Sequence, residues 1–189
     1  MLSRVFDWVM SLARHRHARW ALAGVAFAES SFLPVPPDAL LIPMALADRA
    51  GAYWFAAICT AGSVVGGLFG YAIGAVAFHT IGRPLFGPAP EFAEFQRWYS
   101  TWGFLIVFIA GLAPLPYKVF TITSGVAALN PAVFISAALA SRGLRFFGEA
   151  ALLRRFGAPV AAFLDNHRWV FAAALVALIV VGMIVGALA

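Results

Sequence analysis

Between Trp20 and Met44 an apolar run is interrupted by Glu29-Ser-Ser-Phe-Leu-Pro34-Val-Pro36-Pro37-Asp38, and this interruption constrains the fold more than any other stretch. In water, two carboxylates and three prolines would make an ordinary loop. Here they stand in a chain that is 63% hydrophobic and 11% charged, with a mean hydropathy of +0.90. Soluble domains carry roughly 25% charged residues. The composition therefore predicts an integral membrane protein of one domain, in which charge is costly and irregular backbone persists only against protein or water. A second stretch, Pro114-Leu-Pro116-Tyr117-Lys118, has the same form further along.

Residues 20–32 are too few to cross a bilayer, which takes ~20 apolar residues. Pro34, Pro36 and Pro37 stop the helix by removing amide donors and by biasing the residues before them toward extended backbone. Asp38 is expected to N-cap a second short helix. Two short helices around a proline break predict a re-entrant hairpin. Residues 52–81 then contain no Asp, Glu, Lys or Arg and are long enough to span at a tilt. After a loop at 82–90 and a short polar helix at 91–99, the pattern returns. A short helix at 102–113, a break at Pro114 and Pro116, and a short helix at 117–128 lead through Asn130-Pro131 to a long helix at 132–156. Residues 169–188 predict a last span. Uniformly apolar stretches such as 171–189 argue against a β-barrel, whose strands alternate.

At an offset of eighty, Pro34/Pro114, Pro36/Pro116, Ile42/Ile122, Ala47/Ala127, Ala52/Ala132 and Ala57/Ala137 are identical. Hairpin, breaker and long helix thus occur twice, and a single crossing between the copies inverts the second. The expected fold class is an all-α integral membrane protein of two inverted repeats, each a re-entrant helical hairpin plus a long transmembrane helix. An amphipathic interfacial helix over 1–19 precedes the membrane domain 20–157, with repeat 1 at 20–81 and repeat 2 at 101–157. A C-terminal transmembrane helix follows within 158–189.

In the N-terminal segment Arg4, Asp7, Ser11 and Arg14 fall on one helical face, and Val5, Phe6, Val9, Leu12 and Ala13 on the other. A signal peptide cleaved after Ala26-Phe-Ala28 is the rival reading, but it would cut Glu29 from its helix. Arginine-rich ends, at the N-terminus and at 142–168, are expected inside, and the charge-balanced 82–99 loop outside. The net charge of +5 fits this bias and attraction to anionic headgroups better than nucleic-acid binding.

Asp38 and Lys118 each follow a Pro-x-Pro by two residues, and Lys118 is the one lysine in a chain with twelve arginines. Lysine gives up its charge on burial more readily than arginine. The two are expected to pair where the hairpin tips meet, since an unpaired charge at that depth costs ~2.5–3.5 kcal/mol. The pair is either a structural clamp or, with two half-helix N-termini converging, a site for an anionic headgroup. Glu29 either carries a proton in its apolar surroundings or pairs with Arg142 or Arg145. Arg142, Arg145 and Glu149 share helical spacing, with Arg142 expected to face a cavity and Arg154 and Arg155 the surface. Cys59 is alone, and the four histidines lack metal spacing. Gly62-Ser-Val-Val-Gly66-Gly67 reads as a small-residue packing face. No nucleophile–base set is visible, so neither an enzyme nor a metal or cofactor is expected.

Glu29-Ser-Ser-Phe-Leu-Pro-Val-Pro-Pro-Asp38-Ala-Leu-Leu-Ile-Pro, followed by Gly62-Ser-Val-Val-Gly-Gly-Leu-Phe-Gly-Tyr71, resembles the DedA superfamily, the VTT or SNARE-associated domain. Ala110-Gly-Leu-Ala-Pro-Leu-Pro-Tyr-Lys-Val-Phe-Thr-Ile-Thr-Ser-Gly125 and Ser141-Arg-Gly-Leu-Arg-Phe-Phe147 are similar to its small YqaA-type branch. The resemblance implies a membrane protein with two facing re-entrant hairpins; the expected location is a bacterial inner membrane, with the N-terminus cytoplasmic by the arginine bias. It implies movement of lipid phosphate headgroups, polyprenyl phosphate or phospholipid, with proton coupling left open. The family's acidic pair falls on Glu29 and Asp38. Its first arginine position falls on neutral Gly111 and its second on or beside Tyr117 and Lys118, so Lys118, with Arg142 or Arg145, would take the phosphate. An ion/proton antiporter and a non-transporting membrane organiser remain open alternatives, as does self-association.

Overall fold

The computed structural model describes residues 17–33, 35–82, 90–113 and 115–157. Among them the regular elements are all helical: α1 Ala18–Ser31, α2 Asp38–Ala47, α3 Ala52–Ala77, α4 Pro90–Leu112, α5 Tyr117–Val126 and α6 Pro131–Phe156, with a π-helical turn at Phe78–Gly82 ending α3. Most of the amphipathic helix expected over 1–19, the span expected within 158–189, and the breakers Pro34 and Pro114 lie outside the described residues. The stretch Ala52–Thr80 is long and apolar enough to cross a membrane.

Local chemistry accounts for most boundaries. Pro36, outside any helix just ahead of α2, has no amide hydrogen to donate to a preceding turn. Asn130 caps α6 through its side chain, which accepts from the Ala132 amide at 2.8 Å, with Pro131 at the first helical position. Two expectations are corrected. Asp38 is the first residue of α2 rather than its N-cap; Pro37 precedes the helix and no side chain caps it. The polar helix at 91–99 and the apolar helix at 102–113 are one helix of 23 residues. At the expected gap, Ser100 and Thr101 remain helical and turn their hydroxyls back onto the Arg97 carbonyl (2.7 and 3.1 Å), which satisfies the hydroxyls within the helix. The bounds of α2 and α5, and of α3 and α6, lie 79 residues apart: Asp38 and Tyr117, Ala47 and Val126, Ala52 and Pro131, and Ala77 and Phe156.

The two 26-residue helices, α3 and α6, run antiparallel. Arg154 and Phe147 of α6 lie against Tyr53 near the start of α3, while Phe134 lies against Tyr71 near its end. Around α3 pack α1, α2, α5 and α6. Glycines set how close these neighbours come: a Cβ at Gly66 would overlap the Phe27 carbonyl of α1, and one at Gly74 the Ile122 carbonyl of α5. One apolar core joins α1, α2 and α3 to Phe146, Ala150 and Leu153 of α6. The other joins α4 and α5 to Phe134, Ala137 and Ala138 of α6. Between these two sets on α6 stand Ser141 and Arg142, both buried.

Candidate functional site: two ion pairs at the junction of the helices

The proline break after α1 and the one before α5 come together. Thr121 of α5 donates to the Ser30 carbonyl at 3.1 Å, and Lys118 Nζ donates to the Phe32 carbonyl at 3.2 Å. Arg145 of α6 donates through Nη1 to the Ala113 carbonyl at 3.3 Å and through Nη2 to Asp38 Oδ2 at 2.6 Å, so it bridges both breaks. The pair expected between Asp38 and Lys118 is therefore not the one formed. The sequence repeat matches Asp38 with Lys118 by position, but the crossing of α2 over α6 brings Arg145 to the carboxylate first.

Glu29 meets Arg142, with Nη2 at 2.6 Å from Oε2. Arg142 is 2% exposed, one of the largest fully enclosed side chains among the described residues. Its guanidinium also donates to Ser63 Oγ through Nε (3.2 Å) and Nη2 (2.9 Å), and Ser30 Oγ lies 3.0 Å from that hydroxyl. Above and below it are the rings of Tyr117 and Phe146, each 4.8 Å from the guanidinium carbon. Desolvated cation–π contacts of this kind contribute about 2 kcal/mol each. Ser63 and Arg142 are each the twelfth residue of a 26-residue helix, so this network lies near the mid-height of the molecule.

Of the residues singled out from sequence, Glu29, Asp38, Tyr117, Arg142 and Arg145 form one connected cluster, and Lys118 stands at its edge, half-buried. Arg154 and Arg155 are exposed, as expected. Two buried polar atoms lack a hydrogen-bond partner among the described residues: Asp38 Oδ1 and the Tyr117 hydroxyl. Sequence reasoning missed Ser30 and Ser63. The signal for Ser63 was its place among Gly62, Gly66 and Gly67, where a hydroxyl is small enough for the close approach yet can still accept from a guanidinium. A separate cavity of about 340 Å³, lined by Tyr71, Phe78, His79, Phe92 and Gln96 among others, shares no lining residue with the cluster.

Among the described residues, fold and site define an all-helical protein with one membrane-length apolar helix and a pair of ion pairs at the helix junction. Over 160 residues the chain is 39% identical to an uncharacterized protein of Haemophilus influenzae, covering 84% of this chain and 83% of that one. Over 144 residues it is 34% identical to an uncharacterized protein of Histophilus somni, covering 75% of each. It belongs to the family of these proteins. No family model matches the chain, and no solved structure matches it.

Proposed function

We propose that this is a DedA-like integral membrane protein of a bacterial inner membrane that moves lipid phosphate headgroups from one leaflet to the other. The observation that carries the reading is the convergence of two proline-broken helix ends on one charged cluster at mid-height, with the half-buried cation Lys118 at its rim. Large apolar side chains on the outer surface support a lipid environment: Trp20, Val76 and Leu144 are 77%, 61% and 60% exposed. Lys118 would meet the phosphate first, and Arg142 or Arg145 would take it by exchanging a carboxylate for a phosphate oxygen, a fork-to-anion contact guanidinium suits. Arg49, Arg154 and Arg155 gather near the start of α3 and the end of α6, which the positive-inside bias assigns to the cytoplasm.

A second reading has a specific observation behind it. Both arginines are already held by carboxylates at 2.6 Å, as a membrane organiser with purely structural ion pairs would have them. Purified protein in liposomes decides between the two, scored for flip of a labelled polyprenyl phosphate and of labelled phospholipids, with and without a pH gradient. Accelerated flip that is lost in Lys118→Met supports transport. Flip no faster than in protein-free vesicles for every lipid leaves the structural reading.

A further inference from the structure

With Lys118 left aside, since its Nζ is turned to the Phe32 carbonyl at the rim, the charges of the cluster do not balance. Glu29, Asp38 and Glu149 bring three carboxyls, and Arg142 and Arg145 bring two guanidiniums. Glu149 follows Arg145 by four residues on α6, one turn further along the same face. Its carboxyl is within hydrogen-bonding reach of Asp38. Asp38 gives Oδ2 to Arg145, while its buried Oδ1 receives no hydrogen bond among the described residues. The other titratable groups around the two carboxyls are accounted for element by element. Glu29 of α1 is bound to Arg142. Cys59 of α3 is an enclosed thiol beside both acids. Tyr117 of α5 lies under Arg142, and Lys118 is turned to the Phe32 carbonyl.

We propose that Asp38 and Glu149 form a proton-binding site, holding one proton between them as a carboxyl–carboxylate pair. Two ionised carboxylates within reach of one another repel, which favours the neutral form of one of them. A proton on Glu149 turns the repulsion into an O–H···O⁻ bond to the orphaned oxygen and brings the cluster to electrical neutrality. The step is simple: one proton from water adds to a carboxylate oxygen, and no other bond changes. The site also marks where a proton can be exchanged against the Arg145 clamp. If Glu149 ionises, Asp38 loses its donor and two carboxylates compete for one guanidinium. This last consequence rests on the transport reading; the proton site itself does not.

Infrared spectroscopy of the purified full-length protein, in an ester-free detergent at neutral pH, tests the site without any transport assay. The expected result is a protonated-carboxyl C=O band that shifts in deuterated buffer, moves when glutamate carboxyls carry ¹³C, and is lost in Glu149→Gln. The glutamine amide can donate to Asp38 as the protonated acid does, so this variant is expected to fold. If it does not fold, the labelling result on the wild-type protein stands in its place. Absence of the band in the wild type overturns the proposal, as does its survival unchanged in Glu149→Gln. A band absent from the wild type that emerges in Lys118→Met would show Lys118 to be the balancing charge, and would equally overturn it.

Discussion

Arg142 and Glu29, 113 residues apart in sequence, meet at 2.6 Å inside the helix junction, and that contact joins α1 to the long helix α6. Ser63 completes it by accepting from the same guanidinium. A lone carboxylate among Phe27, Ala28, Phe32 and Leu33 would be poorly solvated. Arg142 and the Ser30 hydroxyl supply the partners that those side chains cannot.

Breaking this pair on one side leaves an uncompensated buried charge, which costs about 3–5 kcal/mol. Arg142→Met is expected to lose stability of that order, and Glu29→Gln to fall in the same direction. The double variant should recover most of the loss, because two neutral groups of similar volume replace a pair that had to be desolvated. Unfolding in detergent, followed by circular dichroism for all four proteins, measures the coupling. Additive losses would show that the two side chains do not depend on one another.

Lys118 is expected to behave differently. Its one described bond, from the ammonium to the Phe32 carbonyl, is worth about 1.5–3 kcal/mol at most, so Lys118→Met should lose less stability than Arg142→Met while losing lipid flip in the liposome assay. A loss of stability as large as that of Arg142→Met would make Lys118 a structural residue.

The glycines of α3 give a prediction about packing alone. Gly66→Ala places a methyl against the Phe27 carbonyl, so α1 must move off α3; overpacking of this kind costs about 1–3 kcal/mol. Gly24→Ala on α1 meets nothing within 4 Å and should be neutral or gain up to about 1 kcal/mol from helix propensity. Thermal unfolding of both variants checks the contrast.

Antiparallel α3 and α6 place the Arg154 end and the Phe78–Phe92 end on opposite ends of the molecule. In a Cys59→Ala background, Arg154→Cys and Glu94→Cys should be labelled by a membrane-impermeant thiol reagent from opposite sides of sealed vesicles. Labelling of both from one side would end the membrane-spanning reading of these helices.

The sequence determined the helices wherever neighbours along the chain decide backbone geometry. Prolines at 36, 37 and 116 end or delay helices because they lack an amide donor. Asn130-Pro131 starts one, and the charge-free run from Ala52 makes the long α3. The charged residues of the site were legible too, since a charge in so apolar a chain stands out, whereas Ser30 and Ser63 were not. Only the tertiary structure decided who pairs with whom. Asp38 and Lys118 look equivalent in the repeat, yet Asp38 goes to Arg145 and Lys118 to a backbone carbonyl. The continuity of α4 through Ser100 and Thr101 was likewise hidden. The physical reason is that an ion pair forms between the groups that helix crossings bring within reach. Those crossings are set by close backbone approaches such as Gly66 against Phe27 and Gly74 against Ile122, contacts between residues far apart in the chain that no local pattern encodes.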